Sequence, residues 1–251
     1  MQLNYLLILP CFALAFFVGA GSRAEAADNA KTEYPAGVEK LVSEDTLLKD
    51  GDRIVFFGDS ITQAGGYHKL IAKALKEKQP KLDVQVINAG ISGNKVPNLQ
   101  ARIEKDVISK DPTIVFIYIG INDVWHSQRG QGTPKDKFEA GLHDIVQRLK
   151  KAGATVVLAT PTTIGEKPDG SNPLDPMLEE YAAVSRQVAK EEGVTLCDLR
   201  VAFIDYLKEH NKENKEKGIL TNDGVHMLPA GDALIADQAS QSILKAIADR
   251  K

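Results

Sequence analysis

Apolar positions fall into five short runs, separated by stretches where they recur at three- and four-residue spacing. The runs lie at Arg53–Phe57, Asp83–Asn88, Thr113–Ile119, Thr155–Ala159 and Val194–Cys197. Each is rich in β-branched or aromatic residues and too short for a helix, so each predicts a strand. Between them Leu70, Ile71, Ala74 and Leu75, following Tyr67, carry helical spacing. Further helices are predicted from about Asn98 to Ser109, from Pro134 to about Ala152, and from Pro176 to about Glu192. Two more run from about Val201 to Glu216 and from Pro229 to Arg250. Proline at three of these starts suits a first helical turn, where its missing N–H costs nothing.

Strands alternating with helices imply a parallel sheet, because each parallel connection must cross back over the sheet. Right-handed crossovers then place helices on both faces, giving a three-layer α/β/α sandwich. Neither an internal repeat nor an interdomain linker interrupts the pattern, so residues 51–251 form one domain. Residues 27–50 are polar with scattered apolar positions and read as a lead-in segment packed loosely on that domain.

Charged residues make up 26% of the 251 and the net charge is −3, so no basic surface suits a nucleic-acid backbone. The N-terminus changes the picture more. Tyr5 to Gly21 is nearly unbroken apolar sequence, and Ala24-Glu25-Ala26 then fits a secretory cleavage site. Residues 1–26 are thus expected to be a signal peptide, cut near Ala26, with export to a periplasmic or extracellular space. No Lys or Arg precedes the apolar run, which leaves an uncleaved membrane anchor as the alternative. Lipid attachment at Cys11 fits poorly beside Pro10. Cleavage leaves about 225 residues, ample for a core, no stably inserted membrane segment, and Cys197 alone. That cysteine, in the run Val194-Thr195-Leu196-Cys197, is expected to be a buried inert thiol.

The chemistry sits where strands stop. Gly58-Asp59-Ser60 ends the first run, and such a turn lifts Ser60 out at the carboxyl edge of the sheet, where open α/β sheets bind ligands. Gly93, in Ala89–Asn94 after the second run, can bring its N–H close to a substrate oxygen. Asn122, in Gly120-Ile121-Asn122-Asp123 after the third, offers a neutral donor for an oxyanion. Asp223 and His226 stand three apart before the last helix, close enough for the carboxylate to hold the imidazole and leave Nε2 as a base. Each also has a structural reading: a turn glycine, an asparagine capping its own turn, a histidine at a helix entry. Metal-ligand spacing of the His-x-x-x-His or paired-Cys kind is absent, and nothing in the sequence asks for a cofactor.

Taken together and in order, these blocks resemble the SGNH hydrolase family, the GDSL-type esterases and lipases. The family's named residues fall on Ser60, Gly93, Asn122 and His226, with Asp223 matching its triad acid. Ile61 stands where the common name has leucine, a change the family pattern admits. The likeness runs from about Asp52 to the last helix. It implies a flavodoxin-like sheet of five parallel strands and a lidless site. It also implies a serine esterase in which Ser60 attacks, with Ser60, Gly93 and Asn122 forming the oxyanion hole. Asp59, Asn94, Trp125 and His126 are expected to contact substrate. The polar stretches Trp125–Arg129 and Gly165–Asn172 argue against long-chain lipids, and export favours an acetylated polysaccharide. A broad short-chain esterase or lysophospholipase, an SGNH acyltransferase, and a non-catalytic flavodoxin-like binding module are the alternatives.

Overall fold

A computed structural model describes residues 33–250. Five strands, β1 (Arg53–Gly58), β2 (Gln85–Gly90), β3 (Ile114–Tyr118), β4 (Thr155–Ala159) and β5 (Thr195–Cys197), form one sheet in the order β2-β1-β3-β4-β5. Every pairing is parallel. The chain steps from β1 outward to β2 and then returns past β1 to β3, so the winding reverses between β1 and β3. In open α/β sheets such a switch point, at the carboxyl ends of the strands, is where ligands bind.

Helices cover both faces. On one side α3 (Gly66–Lys78) packs against the long C-terminal helix α9 (Pro229–Ala248), together with α1 (Ala36–Leu41) and α8 (Leu199–His210). On the other, α4 (Val96–Asp106) packs on α6 (Lys135–Lys151), and α6 on α7 (Asp175–Glu192). The sheet is thus the middle of three layers, and β1, β3 and β4 are almost wholly buried. Such burial on both faces is why these strands read as continuous apolar runs.

The elements depart from the sequence expectation in four places. Strand β2 starts two residues late and runs through Gly90, because its register follows β1 to the pair Gly58–Gly90. Short helices α2 (Ser60–Ala64) and α5 (Ile121–Trp125) fill what the sequence marks only as turns. Helix α8 begins at Leu199, its N-cap Asp198 accepting from Val201 N–H, and ends at His210. There the Asn211 side chain accepts from Lys215 N–H at 2.8 Å and turns the chain away. The lead-in is also packed more tightly than its polarity suggests: Val38 and Leu41 of α1 are fully buried, and Gly37 N–H donates to Asp237 on α9 at 2.6 Å. Among the described residues no helix is long and apolar enough to cross a membrane. The expected leader and its cleavage site lie outside them.

Candidate active site

Ser60 opens α2 directly at the end of β1. The close approach this needs explains Gly58 and Gly90: a Cβ on Gly58 would sit 2.3 Å from Thr62 Oγ1, and one on Gly90 2.2 Å from the Gln63 nitrogen. Two side-chain-free residues, paired across β1 and β2, therefore let α2 rest on the strand ends. Asp59 caps the helix, accepting from Ile61 N–H at 3.0 Å. The Ser60 N–H, in the first turn, has no intrahelical acceptor.

Ser60 Oγ lies 3.0 Å from His226 Nε2. On the far side of that ring, His226 Nδ1 lies 2.7 Å from Asp223 Oδ2. The other oxygen, Asp223 Oδ1, accepts from the N–H groups of His226 at 2.7 Å and Val225 at 2.9 Å. Burial pushes the Asp223 carboxyl up. The hydrogen bonds from His226 N–H, from its imidazole and from Val225 N–H outweigh that and hold it below the usual range. An ionised carboxylate only accepts, so Nδ1 carries the proton and Nε2 presents its lone pair to the serine hydroxyl. The turn itself is tight: Gly224 sits at φ +95°, Asn222 N–H donates to His226 O at 2.9 Å, and Thr221 bridges to Met227.

Three hydrogen bonds link the turns that follow β1, β2 and β3. Ile91 N–H donates to Gly58 O at 3.2 Å, joining the turn after β2 to the serine turn. Ser92 N–H donates to Gln63 Oε1 on α2 at 2.7 Å. Asn122, itself 3% exposed, donates from Nδ2 to Asn94 O at 3.1 Å, joining the turn after β3 to the turn after β2. One Nδ2 hydrogen remains for another acceptor. Gly93 is exposed at φ +75°, and its N–H has no acceptor among the described residues. Ser60, Gly93 and Asn122 thus contribute three donors on connected turns at one sheet edge. Trp125, half-buried, sets its ring edge-on to His226 with centroids 6.3 Å apart, and His126 follows against it at 6.2 Å. Burial, then the charges of Lys95 and Arg129, hold the His126 imidazole below its ordinary value.

One expected substrate contact points elsewhere. Asp59 is 2% exposed and faces into the protein, since its carboxylate is engaged as a helix cap. Asn94 is half-buried, and its Oδ1 accepts from Arg102 Nε at 2.7 Å. In the polar stretch Gly165–Asn172, Glu166 and Asn172 are buried, while Asp169, Gly170 and Ser171 are exposed. Sequence reasoning also missed Arg102. From α4 it donates to Gly58 O and Ala89 O, each at 2.9 Å, and its guanidinium lies 4.6 Å over the Phe57 ring. One side chain therefore clamps the ends of β1 and β2 and the Asn94 side chain. Its i,i+4 ion pair with Asp106 at 3.0 Å is all that the local sequence could show, because the strand-end carbonyls are brought to it by the sheet.

A parallel sheet of this order, with hydroxyl, imidazole and carboxylate hydrogen-bonded in series at its switch point, defines a GDSL-type α/β/α hydrolase. Comparison with known proteins is in accord. Residues 56–234 match the model of the GDSL-like Lipase/Acylhydrolase family. An acetylxylan esterase of Geobacillus stearothermophilus is 33% identical over 212 residues, spanning 75% of this chain and 92% of that protein. A crystal structure of an acetylxylan esterase from the same organism aligns with a TM-score of 0.69 at 30% identity, covering 82% of this chain and 98% of that one. Another solved structure, the acetyl xylan esterase AlAXEase, aligns with a TM-score of 0.74 at 42% identity, covering 76% and 99%. The chain belongs to the GDSL-like lipase/acylhydrolase family and is a hydrolase of carboxylic ester bonds.

Proposed function

We propose that the protein removes acetyl groups from a carbohydrate, with Ser60 as nucleophile, His226 as base and Asp223 as its orienting acid. The observation that carries this is the unbroken line from Ser60 Oγ through His226 at 3.0 Å to Asp223 at 2.7 Å. His226 Nε2 takes the Ser60 proton as the oxygen attacks the acetyl carbonyl. Charge on the tetrahedral oxygen is met by the Ser60 and Gly93 N–H groups and the free Asn122 amide hydrogen. The sugar hydroxyl leaves with the proton from His226, and water cleaves the acetyl-serine by the reverse route. The exposure of the pair, 35% for the His226 side chain and 45% for Asp223, supports hydrolysis over transfer, since water reaches the intermediate.

The acetyl preference rests on the relatives named as acetylxylan esterases, and the Trp125 ring beside His226 offers a face for a sugar. Export follows from the apolar run and Ala24-Glu25-Ala26, and N-terminal sequencing of the secreted protein would check the cut near Ala26. The substrate is tested by acetate release from acetylated xylan beside aryl esters from acetyl to long acyl. Activity on xylan and the shortest esters is expected. A preference rising with chain length would contradict it.

A further inference from the structure

Glu166 is fully buried, in the loop after β4, and forms no ion pair among the described residues. A buried carboxyl without a cation needs hydrogen-bond donors in its place. Glu166 takes all of its donors from one short segment. Oε2 accepts from Ile219 N–H at 2.8 Å; Oε1 accepts from Leu220 N–H at 2.8 Å, from Thr221 Oγ1 at 2.6 Å, and from Thr221 N–H. That segment ends two residues before Asp223 and five before His226.

The main chain around Glu166 is seamed to the same turn. Gly165 N–H donates to Gly224 O at 2.8 Å, and Glu166 N–H to Glu216 O at 2.9 Å. Asn211 Nδ2 holds Glu166 O at 2.8 Å. Thr221 passes the restraint forward, since its Oγ1 also accepts from Gly224 N–H at 3.1 Å, inside the tip that carries Asp223 and His226. The tip is therefore braced from behind by a carboxylate, while its front bears the exposed Asp223–His226 pair.

We infer that Glu166 is a positioning residue: its buried carboxylate fixes the 219–224 segment and so sets the reach of His226 to Ser60. The inference rests on the proposed roles of Ser60, His226 and Asp223. Glu166→Gln keeps the volume but exchanges an acceptor for an NH₂ group, which must then face a backbone or hydroxyl donor. Three main-chain N–H groups and one hydroxyl compete for a single amide oxygen. The segment must shift, and a displacement near 1 Å at a catalytic group costs on the order of 10²-fold in rate.

The test measures kcat and KM for p-nitrophenyl acetate in wild type, Glu166→Gln, Thr221→Val and Thr221→Ser, with Ser60→Ala in parallel. The NMR signal of the His226 Nδ1 proton is recorded in each. The inference predicts a kcat reduced by roughly 10- to 100-fold in Glu166→Gln, KM little changed, and a displaced or broadened Nδ1 proton signal. Thr221→Val should follow in the same direction and Thr221→Ser should restore the rate, which reads the brace even where Glu166→Gln fails to fold. Wild-type kcat with an unmoved Nδ1 signal in Glu166→Gln or Thr221→Val would overturn it. Loss of Ser60 dependence in the wild type would instead overturn the reading of the site, while the Nδ1 signal still reports whether Glu166 orders the turn.

Discussion

Replacing Asp59 with asparagine removes a titrating group from beneath the serine while keeping the helix cap. Burial, the largest influence, pushes Asp59 up from 3.8 to about 7; the Ile61 N–H pulls it down, the Asp123 charge lifts it, and His226 lowers it. An acid whose pKa is higher in the folded chain than in the unfolded one holds its proton better when folded. Its stabilising contribution is complete below 3.8 and is lost as pH rises through about 7. The span is about three units, and at about 1.4 kcal/mol per unit the loss is on the order of 4 kcal/mol. Asparagine is neutral throughout, and its side-chain oxygen can still accept from Ile61 N–H. Urea unfolding of both proteins from about pH 4 to about pH 8 gives the difference in stability at each pH. Carboxylates elsewhere titrate in both proteins and cancel. The variant should gain on wild type across the window, most steeply midway between 3.8 and about 7 and levelling off above about 7, by several kcal/mol in all. Asp123, itself pushed up to about 6 by burial, keeps some slope in the variant. Two curves that run parallel over the whole range would refute the reasoning.

Three further outcomes follow from the same geometry. Asn122→Ala removes one oxyanion donor and should lower kcat by roughly 10²- to 10³-fold, read by steady-state hydrolysis on protein shown folded by circular dichroism. Arg102→Lys keeps the charge but not the planar fork that reaches Gly58, Ala89 and Asn94. Its kcat should fall by roughly 10- to 100-fold as those turns loosen, whereas full activity would show the clamp to be dispensable. Cys197, with burial pushing its thiol up to about 12, should resist thiol reagents in the native protein and react on unfolding; rapid native labelling would contradict its placement.

The layers were legible because β1, β3 and β4 are buried on both faces and so spell continuous apolar runs. Edge strand β2 is half-exposed, which blurred its limits by two residues. Helices α2 and α5 have five residues each, too few for a periodic pattern to register. Helix α1 has only Val38 and Leu41 as large apolar residues, so its tight packing was hidden. Ser60, Gly93, Asn122, Asp223 and His226 stood out only together, since each alone has a structural reading and the ordered set is what resembles the family. Arg102 and Glu166 did not, since the groups they hold lie as far as 44 and 55 residues away and include backbone groups that no side-chain pattern reveals. Asp59 was misread for a related reason: a carboxylate beside a serine looks available in sequence, and only the fold shows it turned inward to cap α2.

The most direct test of the account is acetate release from an acetyl ester by the wild type and by Ser60→Ala at matched folding. The hydroxyl 3.0 Å from His226 Nε2 should carry the whole reaction. The account predicts a wild type that turns over and a variant slower by several orders of magnitude with an unchanged melting temperature. Turnover retained in Ser60→Ala would contradict it.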